Sequence, residues 1–401
     1  MQSITLILSA ALKVFSLWFF LTALLFWKAP RAYEKSMPRT RFACLIAARN
    51  EEAVIAALVQ SLRAQDYPDA LYDVYVIPNN CTDATEDAAR AAGARIFRCF
   101  SRVTCKGDAL HEAVEWLLPQ RKYDAFCVFD ADNVVDPGFL AAMNDAICAG
   151  ARVCKARLLV KNPDDSAVAG SYALYFTLCD YFFSRSRANL GLSAKLVGTG
   201  FAVHREVLER LGGWNTRTIA EDAEFSALCA AIGERVRWVP EAVTYDEAPR
   251  CFSVSLVQRR RWVSGIMSVC SIRLGSLLRP APGASRARAF DMAMFLCAPF
   301  AQAASVIPLV LTAIAAAGEG KVLFCVSALA ASGLGMLLFA ALLAALSPYR
   351  GRRIARGVLF FPLFMASWLP LQVLGVLCRT TSWQEIRHER SIAVQELGRA
   401  A

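Results

Sequence analysis

Residues 42–62 read FACLIAARNEEAVIAALVQSL, and the organisation of the chain follows from them. Phe42 to Ala47 is a short apolar run, the pattern of a strand covered on both faces. It stops at Ala48-Arg49-Asn50-Glu51-Glu52, after which Val54, Ile55, Leu58, Val59 and Leu62 recur at helical spacing. The reading is strand, turn, helix. The alternation continues with Tyr72 to Ile77 as strand, Thr82 to Ala92 as helix, Ala94 to Phe97 as strand, Lys106 to Leu118 as helix and Ala125 to Phe129 as strand. Strands that alternate with helices predict an α/β fold with a mainly parallel sheet. Ligands of such sheets sit outside the carboxyl ends of the strands. Two polar turns occupy those ends, Asn79-Asn80-Cys81-Thr82-Asp83 and Asp130-Ala131-Asp132.

Outside this region the chain is too apolar for a purely soluble protein, with 56% hydrophobic residues in 401. Ile4 to Trp27 holds one charge, Lys13, and is long enough to cross ~30 Å of hydrocarbon as a helix. It exceeds the apolar core of a signal peptide and lacks a small-residue cleavage site, so it reads as an uncleaved anchor. Met292 to Ala317, Val322 to Leu346 and Val358 to Cys378 follow without a charged side chain. The last contains Pro362, Pro370 and Gln372, which suits a broken or re-entrant element packed on protein better than a straight span. Lys13 reads as a snorkelling or helix-contact residue.

The formal net charge is +10, but the cations crowd beside the apolar segments. Lys28, Arg31, Lys35, Arg39 and Arg41 follow the anchor, which places the polar domain on the cytoplasmic side of a cell membrane. Arg250 to Arg288 contains eight arginines and no acid, interleaved with apolar residues; it reads as a helix lying on anionic lipid, not as a nucleic-acid surface. Fourteen scattered cysteines, none at metal-site spacing, read as reduced thiols. Three histidines argue against a histidine-centred zinc or triad enzyme. The expected segments are an anchor and basic linker (1–38), a catalytic domain (39–250), an interfacial helix region (251–288), transmembrane helices (289–378) and an interfacial tail (379–401).

Asp130 and Asp132 can converge on one hard divalent cation that in turn holds a diphosphate. An Asp-rich turn capping the next helix is the alternative. Glu221-Asp222 opens another helical pattern, where acids either complement the helix dipole or supply a general base. In Gln258-Arg259-Arg260-Arg261-Trp262, Gln258, Arg261 and Trp262 share a helical face offering an amide, a forked cation for a diphosphate and an indole for a sugar ring. Arg259 and Arg260 read as lipid-surface charges.

The ordered set Ala47-Ala48-Arg49-Asn50-Glu51, Asn-Cys-Thr-Asp, Lys106-Gly107-Asp108, Asp130-x-Asp132, Gly198-Thr199-Gly200, Glu221-Asp222 and Gln258-x-x-Arg261-Trp262 resembles the inverting, membrane-integrated family 2 glycosyltransferases, the cellulose, chitin, hyaluronan and poly-N-acetylglucosamine synthases. The resemblance covers about residues 40 to 270. It implies a GT-A type nucleotide-sugar domain with an α-helical transmembrane region, and a Mg2+ or Mn2+ ion at Asp132, with Asp130 shared between metal and donor. It implies a donor site of Ala47, Arg49, Glu51, Asn79, Lys106, Asp130, Gln258 and Arg261. Gly198, Thr199, Gly200, Glu221 and Trp262 would face the acceptor, and Asp222 would be its base. The implied donor is a UDP-sugar; Asn79 stands where the family usually has an Asp facing uracil, and its amide oxygen can still accept from a ring N–H. The implied partners are a nucleotide-sugar donor, a growing polysaccharide as acceptor, membrane lipid and a membrane-protein partner or second copy. A lipid acceptor, as in ceramide glucosyltransferase, is the alternative, and an inactive scaffold is a third reading. Trp383-x-x-x-Arg387-His388 resembles an interfacial anchor without chemistry.

Overall fold

The computed structural model describes residues 2–349, 351–379, 388, 390–392 and 396. Eight strands form one sheet: β1 (Phe42–Ala48), β2 (Tyr72–Pro78), β3 (Arg95–Ile96), β4 (Ala125–Asp130), β5 (Val134–Val135), β6 (Val153–Val160), β7 (Phe201–His204) and β8 (Val236–Asp246). Their order is β3-β2-β1-β4-β7-β6-β8-β5. The first four neighbours are parallel, as is the β6 and β8 pair, while β7 runs antiparallel to both β4 and β6. The expected α/β architecture is therefore present, with an antiparallel strand at its centre.

The helices are α1 (Gln2–Ala23), α2 (Ile55–Arg63), α3 (Thr85–Ala91), α4 (Lys106–Leu117), α5 (Phe139–Cys148), α6 (Ala167–Leu178), α7 (Ser186–Asn189), α8 (Arg205–Leu211), α9 (Glu221–Ala231), α10 (Phe252–Leu278), α11 (Arg286–Ala304), α12 (Val306–Gly318), α13 (Val322–Leu346), α14 (Arg352–Ala366) and α15 (Trp368–Leu377). Ile55, Leu58, Val59 and Leu62 of α2 are fully buried on one sheet face with Met143 of α5. Leu110 and Val114 of α4 cover the other, with Trp214 stacked on Phe225 at 4.3 Å. The helix expected from Thr82 starts instead at Thr85, because the preceding residues close a turn. Asn50, at φ 56°, accepts the Thr82 N–H at 2.8 Å through its side chain, and the Asp83 carboxylate accepts the Glu52 N–H at 3.1 Å. The strand expected over Ala94 to Phe97 pairs only through Arg95 and Ile96.

Four helices among the described residues are long and apolar enough to cross a membrane: Leu6–Ala23, Arg286–Gly318, Val322–Leu346 and Ile354–Leu377. The second begins earlier than the apolar run alone suggests, at Arg286, where the Ser285 hydroxyl accepts the Arg288 N–H. It divides at Ser305 into α11 and α12. The last is bent at Ser367 between α14 and α15. A Cβ on Gly357 of α14 would lie 2.5 Å from the Gly170 backbone, so the two glycines let α14 cross α6 at backbone contact. On either side of this bent element the chain touches the α/β domain. Tyr349 Oη accepts the Val160 N–H at 2.6 Å and lies 2.9 Å from the Val160 carbonyl, while Arg390 pairs with Asp165 at 2.6 Å.

The arginine-rich segment is not one helix lying on a surface. Only α10 and the start of α11 are helical, and α10 packs against α9, α11 and α15. The expectation that Arg259 is a surface charge is overturned. It is fully buried, and its guanidinium donates to Ser255, to the Phe364 carbonyl at 2.9 Å and to the Ser367 hydroxyl at 2.9 Å. It also lies 4.2 Å from the Phe364 ring, so it clamps the α14 and α15 bend to α10. Trp383 and Arg387 lie outside the described residues.

Candidate active site

The carboxyl ends of β1, β2 and β4 open on one cavity of about 680 Å³. The sequence-selected Ala47, Arg49, Glu51 and Asn79 line it beside Lys106, Asp130 and Asp132. Gly198, Thr199, Glu221 and Asp222 line its middle, and Gln258, Arg261 and Trp262 reach it from α10. Gly200 does not. At φ 64° it sits just before β7, and a Cβ there would fall 2.6 Å from the Thr244 hydroxyl, so glycine lets the backbone entering β7 lie against that side chain.

Lys106, the first residue of α4, holds the floor together. Its ammonium donates to Asp130 at 2.5 Å and to the Gly198 carbonyl at 2.5 Å, and lies 3.5 Å from Glu221. Burial opposes the Lys106 charge, but Asp130 and Glu221 outweigh it and raise the pKa. Burial pushes Glu221 up to about 7, with Lys106 acting against it. Glu221 thus lies beside Lys106 on the floor of the cavity. Asp222 accepts the Gly198 N–H at 2.6 Å. Gly198 has φ 37°, and a Cβ there would meet the Asp130 carboxylate at 2.7 Å, so only glycine lets this backbone lie between the two acids. Asn79 spends its amide nitrogen on the Ala48 carbonyl at 3.1 Å, leaving the amide oxygen as its remaining acceptor.

A second acidic group surrounds Asp132, which is 5% exposed. Asp246 at the end of β8 hydrogen-bonds to it, and Asn133 donates to Asp246 at 2.9 Å. Burial and the Asp132 charge raise Asp246 well above the carboxylate range, which makes it the protonated partner. Burial also opposes ionisation of Asp132, but His388 and Lys161 hold its pKa down. His388 places Nδ1 3.0 Å from both Glu51 oxygens and Nε2 3.6 Å from Asp132. Burial disfavours its charge, yet Asp132 and Glu51 together push it up to about 10. The tail expected to be without chemistry thus enters the site. Glu51 is itself pushed up to about 7, chiefly by burial. Among the described residues no three acid, histidine or cysteine side chains converge as a ready metal site, and the hard oxygen donors suited to a divalent cation are the carboxylates of Asp130 and Asp132.

The α10 side is aromatic. Tyr172 donates to the Gln258 amide oxygen at 2.8 Å, and Trp262 stacks on Trp368 of α15 at 6.3 Å and 26°. From there the cavity continues between the membrane-type helices, past Phe295, Ala298, Pro299 and Gln302 of α11 and Leu369 and Gln372 of α15. Sequence reasoning missed this extension, together with Asp246, His388, Lys155, Asp180 and Lys195. Asp246 carries a usable signal, a carboxylate at a strand end, the rule that singled out Asp130.

The model of the family described as "Glycosyltransferase like family 2" matches residues 38–265. "Probable glycosyltransferase YdaM" of Bacillus subtilis is 28% identical over 250 residues, 58% of this chain and 59% of that protein. The "Beta-monoglucosyldiacylglycerol synthase" of Trichormus variabilis is 28% identical over 300 residues, 71% of this chain and 61% of its own length. The chain thus spans about three fifths of the curated relatives it matches. Among solved structures, the mannosyltransferase PcManGT from Pyrobaculum calidifontis in complex with GDP-Man and Mn2+ has a TM-score of 0.61 at 20% identity, covering 94% of this chain and 98% of that one. The fold, membrane-type helices included, is shared along almost the whole chain.

Proposed function

Because the chain belongs to the glycosyltransferase family 2 whose model spans residues 38–265, we propose that it transfers a sugar from a nucleoside-diphosphate donor to a hydroxyl of a membrane lipid. One observation carries the choice of acceptor: the cavity holding Asp222 and Asp130 runs without a break between α11 and α15, both within candidate membrane spans. A growing polysaccharide is the first expectation from sequence; the apolar lining of this end favours a lipid acceptor instead. The buried Nε1 of Trp368 and Oε1 of Gln372 lack hydrogen-bond partners among the described residues and line this end, where the ester or hydroxyl groups of a lipid would satisfy them. The relative named for β-monoglucosyldiacylglycerol supports the same reading.

In this proposal Lys106 and Arg261 hold the donor diphosphate, Asn79 accepts from the base and Trp262 lies under the acceptor. Asp130 and Asp132, with His388 beside Asp132, would hold Mg2+ or Mn2+, which when bound would neutralise charge on the diphosphate. The acceptor oxygen bonds to the sugar's anomeric carbon as the bond from that carbon to the diphosphate oxygen breaks with inversion. The leaving diphosphate keeps the electron pair, and Asp222 takes the hydroxyl proton. The segment division from sequence is retained with α11 beginning at Arg286. The contacts of Tyr349, His388 and Arg390 with the α/β domain support a bent α14 and α15 that does not fully cross, with the tail on the catalytic, cytoplasmic side.

Ala298→Trp tests the acceptor path, since an indole there fills the membrane end of the cavity. The KM for lipid acceptor rises while affinity for the nucleoside diphosphate, which also reports folding, stays unchanged. An unaltered acceptor KM in the folded variant contradicts the lipid path.

A further inference from the structure

Between the catalytic acids and the lipid end, the cavity wall carries cations that the transfer reaction does not use. The wall is formed by β6 and by a π-helical stretch, Cys179–Arg185, that joins α6 to α7. Such stretches are rare and cluster at functional sites. Here Asp180 and Ser184 line the cavity, as do Lys155 and Lys195.

Two of the nearby cations are already neutralised. Arg157 donates to Asp180 at 3.1 Å, and Arg187 is paired with Asp291 at 2.8 Å. Lys155 and Lys195 are left over. Lys155 is 4% exposed and donates to the Ala156 carbonyl at 2.7 Å, a neutral partner. Lys195 has no carboxylate within ion-pairing distance among the described residues. Its ammonium lies 4.6 Å from the Phe295 ring and 5.2 Å from the Phe183 ring, at the point where the domain meets α11. Ring faces alone satisfy an ammonium poorly, and it has three N–H groups to donate. Lys155 also lies within reach of the charges of Asp180, Asp246 and Asp222, so Lys195 is the ammonium of this wall that most needs an anion. Lys195 is also three residues before Gly198, whose N–H is bound by Asp222, and all three line the same cavity.

From this placement we infer that the acceptor is an anionic lipid, one whose headgroup carries a phosphate or carboxylate beside the hydroxyl that receives the sugar, with the anion seated on Lys195 and Lys155. The inference rests on the lipid-acceptor reading and narrows it to a charged headgroup. A neutral diacylglycerol has a hydroxyl for Asp222 but nothing for the two lysines.

The test uses the full chain in neutral lipid nanodiscs, with phosphatidylglycerol or diacylglycerol as acceptor and inorganic phosphate as a soluble competitor. Wild type prefers phosphatidylglycerol over diacylglycerol in kcat/KM by about tenfold or more, the worth of one charge-assisted contact. Lys195→Met loses that preference through acceptor KM, with the donor KM unmoved, and Lys195→Arg keeps it. Equal use of the two lipids by wild type, or a preference that survives in Lys195→Met, overturns the anion site while leaving lipid transfer intact. If phosphate raises the melting temperature of wild type but not of Lys195→Met, and the lipids are not discriminated, the site takes a free anion and the lipid assignment falls. Failure of the broader reading looks different, because no lipid of either kind is then labelled although donor is consumed.

Discussion

Asp222→Asn abolishes most turnover and leaves the donor site standing. The Asp222 carboxylate accepts the Gly198 N–H at 2.6 Å, and an asparagine oxygen can accept the same bond, so the loop between Asp130 and Asp222 keeps its shape. What is lost is a base. An amide cannot take the proton of the acceptor hydroxyl, and removal of a positioned general base lowers the rate by about 10² to 10⁴. Nucleoside-diphosphate affinity, measured by titration calorimetry, stays near wild type because Lys106, Arg261 and Asp132 are untouched. Retained kcat would move the base elsewhere, with Glu221 at a pKa of about 7 as the next candidate in the same cavity.

Asp132→Asn has the opposite signature. Asp132 sits at the centre of the acidic group, shared with Asp246 and 3.6 Å from His388, and an asparagine leaves Glu51 and Asp130 to hold a divalent ion without it. Metal-dependent affinity for the nucleoside diphosphate falls by at least about 100-fold, more than the loss of a ligand's outer partner costs. Metal-free binding stays equal in the two proteins. An unchanged response to Mn2+ in this variant would remove Asp132 from the metal site.

The two variants separate because Asp132 follows β4 and Asp222 lies in the first turn of α9; both acids were legible in the sequence, whereas the sheet that positions them was legible only in its first half. Strand, turn and helix over 42–62 carry local signals, a short apolar run followed by helical spacing, and the structure has both where the pattern puts them. The same holds for Asp130 at the end of β4. The second half of the sheet carries no such signal. β6 pairs with β8 across a long intervening stretch, and β7 enters between β4 and β6 against their direction, so neither follows from alternation along the chain. Asp246 could have been flagged as a strand-end carboxylate, but its place beside Asp132 could not be read from the sequence.

Burial of single charges was equally unreadable. In the run Arg259-Arg260-Arg261 the residues look alike, and what sinks Arg259 is the carbonyl of Phe364 and the hydroxyl of Ser367, brought by an element about a hundred residues later. Lys195 and His388 belong to the same class. Each reaches the cavity through a contact made after the membrane-type helices have packed on the domain, and no spacing in the sequence encodes that.

The central claim is that the sugar ends on a lipid. Purified full-length chain in lipid vesicles, given Mn2+ and a panel of nucleotide sugars labelled in the sugar, tests it in one extraction. The account predicts label in the organic phase, in step with nucleoside-diphosphate release and absent in Asp222→Asn. Label that stays in the aqueous phase as a chain of growing length, with none in the lipid extract, would contradict it.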